Sequence, residues 1–97
     1  MVERVRSEQY TILDLQVNKA MLSVTSLNVG QATNGHRHPR VEGYYFSSGY
    51  GELKVGDEVL RVGEGDLITI PPDTFHQVRN LSKVALRFVC VWEVNEC

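Results

Sequence analysis

Apolar positions recur at every second residue in short bursts along this chain, and no stretch keeps a helical period for three turns. Residues 10–17, YTILDLQV, and 20–29, AMLSVTSLNV, are rich in apolar and β-branched side chains, and Asn18-Lys19 between them suits a tight hairpin turn. QATNG at 31–35 reads as a loop. An extended segment then runs through RVEGYYFSS to Gly49. GELKV and EVLRV face each other across Gly56-Asp57, a second hairpin signal. Gly63-Glu64-Gly65 is a turn, DLITI a strand, and Pro71-Pro72-Asp73 a break before TFHQVRN. KVALRFVCVWEV at 83–94 is the longest run. Its Val84, Leu86, Phe88, Cys90, Trp92 and Val94 share one uniformly apolar parity, expected to face inward. Short strands with glycine and proline turns predict an antiparallel sandwich or barrel.

The chain's three histidines add chemistry to this pattern. Side chains alternate along a strand, so His36, His38 and Glu42 share a face if the segment is extended. Two imidazoles and a carboxylate form a nitrogen and oxygen set suited to divalent iron, manganese, nickel, copper or zinc. His76 is the candidate fourth ligand. One divalent ion per chain is the expectation.

The surrounding residues resemble the two motifs of the cupin superfamily. Gly30, His36, His38, Glu42 and Gly49 in GQATNGHRHPRVEGYYFSSG have the spacing of the first; Gly65, Pro71, Asp73, His76 and Asn80 in GDLITIPPDTFHQVRN have that of the second. Nine of these ten positions match. The exception is Asp73, where the family usually has glycine, although aspartate also tolerates left-handed turns. The resemblance implies a small all-β, antiparallel jelly-roll barrel of the single-domain cupin type. It also implies that the two motif hairpins face each other and bring His76 to the other ligands. It does not choose among dioxygenases, isomerases, epimerases, decarboxylases, lyases, storage proteins and ligand-sensing modules, so the site must carry the functional argument.

Ninety-seven residues predict one domain, 1–97, with the motif-bearing core at about 20–94 and an N-terminal arm and strand at 1–19. The N-terminal strand is expected to add to another subunit's sheet and so build a homodimer. The net charge of −2, with acidic and basic residues spread along the chain, gives no footprint for nucleic acid or a membrane surface. The apolar runs are short and the start MVERVRSEQY is charged, so a cytoplasmic location is expected. Cys90 reads as a packed core residue, and no role is assigned to Cys97. Asp57, Asp66 and Asp73 read as turn residues.

Parity from Glu42 carries Tyr44 and Phe46 inward, and the last strand adds Phe88 and Trp92, predicting an aromatic pocket for a small molecule around one metal. Tyr44 is the candidate proton donor. An anionic substrate would need a cation, for which Arg40 and Lys54 are the candidates. Metal-dependent oxidation of a small organic molecule, dioxygenase-like, is the favoured function, with isomerisation next. The alternative is a non-catalytic module that binds a small ligand or regulates a partner.

Overall fold

A computed structural model describes residues 1–94; Cys97 lies outside the described residues. The chain forms nine strands: β1 (Val2–Arg6), β2 (Tyr10–Val17), β3 (Ala20–Leu27), β4 (Glu42–Ser48), β5 (Tyr50–Val55), β6 (Glu58–Gly63), β7 (Leu67–Ile70), β8 (His76–Asn80) and β9 (Leu86–Glu93). The described residues contain no helix, hence none long and apolar enough to cross a membrane. The strands pair antiparallel in two sheets, ordered β1-β2-β3-β9-β4-β7 and β6-β5-β8. This is the expected all-β jelly-roll.

The turns follow from residue type. Asn18 takes the left-handed conformation at φ 54° and Gly56 at φ 59°, as their two-residue hairpins require. Gly49 is left-handed at φ 80° where β4 leaves the large sheet for β5, and a Cβ there would come within 2.9 Å of the Ala85 carbonyl. A glycine at this first-motif position is therefore a steric requirement. Asp73 stands at φ 54°, so the departure from the family pattern keeps the turn.

The core between the sheets holds Leu27, Phe46, Leu53, Ile70 and Leu86, all fully buried, with Leu27 and Leu86 paired at the end away from Glu42. Each such side chain contributes about 1.5–3 kcal/mol of burial. At that end Asn80, also buried, donates from Nδ2 to the carbonyls of Leu27 (3.0 Å) and Val84 (2.9 Å). Its Oδ1 accepts from the Ser82 N–H (2.8 Å) and hydroxyl (2.7 Å). The last residue of the second motif thus ties three loops together. With the closed end holding the sheets, the opposite end is free to carry polar groups.

The N-terminal strands extend the large sheet, and one expectation about the last strand is corrected. The arm at 1–9 contains a strand, β1, which pairs with β2 through an irregular register between Glu3 and Val5. β1 pairs with Thr11–Asp14 of β2 and β3 pairs with the whole of β2, so within the chain the first two strands extend the large sheet. Val84 does not join the inner face: β9 begins at Leu86, and Val84 lies exposed in the preceding bend. Val94 follows the end of β9; the residues between are ordered as expected, with Leu86, Phe88 and Cys90 buried and Trp92 half-buried.

Candidate metal centre

His36, His38, Glu42 and His76 converge at the open end, with one potential ligand atom from each within 4.8 Å of the others. The expected mechanism of convergence is incorrect. Only Glu42 lies on a strand shared with the first motif; 37–41 form no strand, and His36 makes an isolated bridge to His76. Pro39 supplies no backbone N–H for a ladder, so the chain bends there and the loop, rather than strand parity, turns His38 back onto Glu42. The segment before the bend is held against β8 by Thr33 N–H to Val78 O (2.8 Å) and by reciprocal His36–His76 backbone bonds.

The imidazoles share one hydrogen-bonding pattern. Nδ1 of His36 faces the Asn34 carbonyl at 3.3 Å, Nδ1 of His38 that of Arg40 at 3.1 Å, and Nδ1 of His76 that of Thr74 at 3.0 Å. A carbonyl only accepts, so each Nδ1 carries the proton and each Nε2 is left with a lone pair in the neutral ring. His38 Nε2 abuts Glu42 Oε1, and His76 Nε2 lies 3.3 Å from the same oxygen. Buried His76 Nε2 has no hydrogen-bond partner among the described residues. Lone pairs aimed at a carboxylate repel unless a cation lies among them. Three oriented imidazoles and one carboxylate therefore fit a divalent ion in donor type, tautomer and direction.

The electrostatics agree. Burial pushes the His76 pKa down, but the Glu42 carboxylate and the Thr74 carbonyl outweigh it and the net shift is upward. Burial would raise Glu42, yet its contacts with His76 and His38 hold it below the usual carboxylate range. His36 is lowered, chiefly by burial. The cluster draws positive charge into the centre, from either a proton or a metal.

A cavity of about 300 Å³ opens in front of the cluster, reaching Tyr44, Phe88, Cys90 and Trp92. Tyr44 is buried, stacked on Phe88 at a centroid distance of 5.3 Å and edge-on to His76 at 6.0 Å. Burial first, then the neighbouring Cys90 thiol and Glu42, raise the Tyr44 pKa, so its hydroxyl stays protonated; burial likewise raises the Cys90 thiol. Phe46 lies deeper, fully buried beneath Tyr44 and Phe88. Arg40 borders the cavity. Lys54 does not: it is exposed on the three-stranded sheet, over the Phe75 ring.

Sequence reading missed Arg4, Asp14, Ser23 and Thr25. Arg4, Ser23 and Thr25 line the cavity, and Ser23 hydrogen-bonds Asp14 at 2.5 Å. The signal in β3 was available: its buried positions Ser23 and Thr25 are polar, while outward Leu22 and Val24 are apolar.

The sequence matches the cupin domain family over residues 23–92, and the chain belongs to that family. It is 36% identical over 73 residues to an uncharacterised protein of Methanocaldococcus jannaschii, covering 74% of this chain and 58% of that one. It is 41% identical over 46 residues to a gentisate 1,2-dioxygenase of a Haloferax species, covering 47% of this chain and 13% of the enzyme. This chain thus spans little more than half of the first relative and a small part of the second. Among solved structures, a cupin-2 domain from Rhodospirillum rubrum aligns with a TM-score of 0.79 at 28% identity, covering 89% of this chain and 59% of that one. A cupin 2 conserved barrel domain protein from Rhodopseudomonas palustris aligns with a TM-score of 0.81 at 26% identity, covering 96% and 70%.

Proposed function

We propose that residues 1–97 are a single domain that binds one divalent metal through Nε2 of His36, His38 and His76 and a carboxylate oxygen of Glu42. In this reading it acts as a metal-dependent enzyme on a small organic molecule. The carrying observation is the common arrangement of the three imidazoles, each Nδ1 on a backbone carbonyl, with Nε2 of His38 and His76 against Glu42 and His36 within ligand distance of the same cluster beside a cavity. A purely structural cluster has no need to aim unprotonated nitrogens at a carboxylate.

When bound, such an ion supplies Lewis acidity and, as divalent iron, a means of handling dioxygen. The protein's own groups do the rest. Phe88 and the Trp92 ring keep water from the substrate, and Tyr44 holds a proton it can donate to an oxygen in front of Glu42. Oxidation is favoured because apolar walls suffice for it; partial identity to a gentisate dioxygenase supports the same direction. Isomerisation is the second reading, favoured by Arg40 at the cavity. The test is elemental analysis of untagged native protein, then oxygen-uptake screening of the iron-loaded form. Uptake that requires His76 supports oxidation; native zinc with turnover of a sugar phosphate supports isomerisation. Tight ligand binding without turnover under any metal makes the domain a binding module.

The assembly in this reading is a cytoplasmic homodimer formed through the outer face of the large sheet. Leu13, Val24, Val89, Tyr45 and Leu67 stand side by side across five strands, and Leu15, Leu22 and Val91 form the next row. These rows run beside an open groove lined by Val17, Val41 and Val91. A second copy is the favoured occupant because β9 places Arg87 at one end of the face and Glu93 at the other, which a two-fold axis would bring together.

A further inference from the structure

Arg40 is a cation at the cavity that the metal cluster leaves unused. Its Nε is buried without a hydrogen-bond partner among the described residues, and its guanidinium carbon lies 5.5 Å from the centroid of the Trp92 ring. Arg4, from β1, lies 6.0 Å from the same ring, and both arginines line the cavity beside His38 and Glu42.

The two arginines differ in what balances them. Arg4 Nε donates to Asp14 Oδ2 at 2.7 Å, and Asp14 also accepts from Ser23. Its charge is matched within the wall, so Arg4 positions the Trp92 ring. Arg40 forms no ion pair among the described residues; Glu93 borders an outer groove with it but does not reach it. A charged group's buried donor left unsatisfied carries its full desolvation penalty, and a planar guanidinium held on an aromatic face is matched to a planar or tetrahedral oxyanion.

We infer that the cavity takes a small organic anion, its carboxylate or phosphate head held by Arg40 over Trp92 and its apolar body against Tyr44 and Phe88. This rests on the reading that the cavity in front of the histidine cluster is the substrate site. Its volume of about 300 Å³ lies at the lower end for ligand pockets, which suits a body of one ring or a short chain.

Trp92 is the chain's single tryptophan, so its emission reports on the cavity directly. Benzoate, its uncharged analogue benzamide, and phenyl phosphate are titrated into zinc-loaded and metal-free protein, with metal content measured in each sample. Benzoate or phenyl phosphate should change Trp92 emission saturably, with benzamide weaker by about tenfold or more. Arg40→Gln should remove that preference while metal content stays unchanged; Arg40→Lys should restore part of it. The tighter of the two anions identifies the head group. Equal binding of benzoate and benzamide to the wild-type protein overturns the inference without any variant, as does anion affinity that Arg40→Gln leaves intact. Zinc uptake without anion preference sinks the anchor alone. Arg40-dependent anion binding in a protein that takes up no metal supports the anchor and sinks the metal reading.

Discussion

The backbones of His36 and His76 hydrogen-bond each other in both directions, N–H to carbonyl at 3.2 Å one way and 3.0 Å the other. Two proposed ligands from distant parts of the sequence are thus registered by their own peptide groups. A second tie, the Asp73 N–H to the His38 carbonyl at 2.7 Å, joins the motifs one loop further out. The side chains are placed by the fold and do not depend on an ion to bring them together.

His76→Ala should therefore abolish metal binding without unfolding the barrel. The backbone bridge survives, while the Nε2 lone pair and a buried ring are lost. Metal affinity should drop about 100-fold or more, from about one ion per chain, with the β-sheet circular dichroism retained. Unchanged metal content after exhaustive dialysis would remove His76 from the ligand set.

Metal-free and metal-loaded protein should respond oppositely to pH above 6.5. His76 is raised, so its charged pairing with Glu42 gives stability fully present below the unfolded histidine value of about 6.5 and lost as pH climbs through the folded value. Glu42 is lowered, so its share is present above the unfolded carboxylate value and disappears only as pH falls through its depressed one. His36 is lowered and works in the opposite sense to His76, but its contribution is complete once pH exceeds about 6.5. Above that point the metal-free protein should lose melting temperature. The increment from bound metal should grow, because ligation needs neutral imidazoles. Parallel slopes in scanning calorimetry would contradict the proposed competition between proton and metal.

Asn80→Ala should cost stability, about 3 kcal/mol, because it removes a donor shared by the Leu27, Asn28 and Val84 carbonyls and the acceptor of the Ser82 N–H and hydroxyl at the closed end. For a domain of this size that is roughly a 15 °C drop in melting temperature. Metal content should be unaffected, since Asn80 lies at the opposite end from the cluster. Loss of metal at temperatures where the variant is folded would contradict that separation.

How much of this was legible follows from where the period-2 pattern holds. Strands β2, β3, β5 and β6 are short apolar and β-branched runs bounded by turns that glycine or asparagine makes, and their places could be read directly. In β1 the irregular pairing between Glu3 and Val5 breaks the alternation of VERVR, and with it went Arg4 and one wall of the cavity. The four metal-site candidates were legible as residue types at motif spacing. Their geometry was not, because the Pro39 bend replaces strand parity with a loop. Arg40 was separable from Lys54 only once the sheets were assigned, since the two side chains end on different sheets' surroundings.

The outer face of the large sheet gives the last prediction. The middle of β3 is apolar outside at Leu22 and Val24 and polar inside at Ser23 and Thr25, the reverse of a strand whose outer face meets water, and Leu15, Leu22, Tyr45, Leu67 and Val91 are all exposed. If two copies pack these faces about a two-fold axis, Arg87 of each approaches Glu93 of the other, and the contact contains that pair twice. Arg87→Glu should then weaken the dimer by about tenfold through repeated like-charge contact, and adding Glu93→Arg should restore it. Leu22→Glu, which buries a carboxylate in the middle of the face, should give monomers at any practical concentration. Sedimentation equilibrium measures all four proteins. A monomeric wild type at micromolar concentration, or a double variant no better than Arg87→Glu alone, would show that this face is not where copies meet.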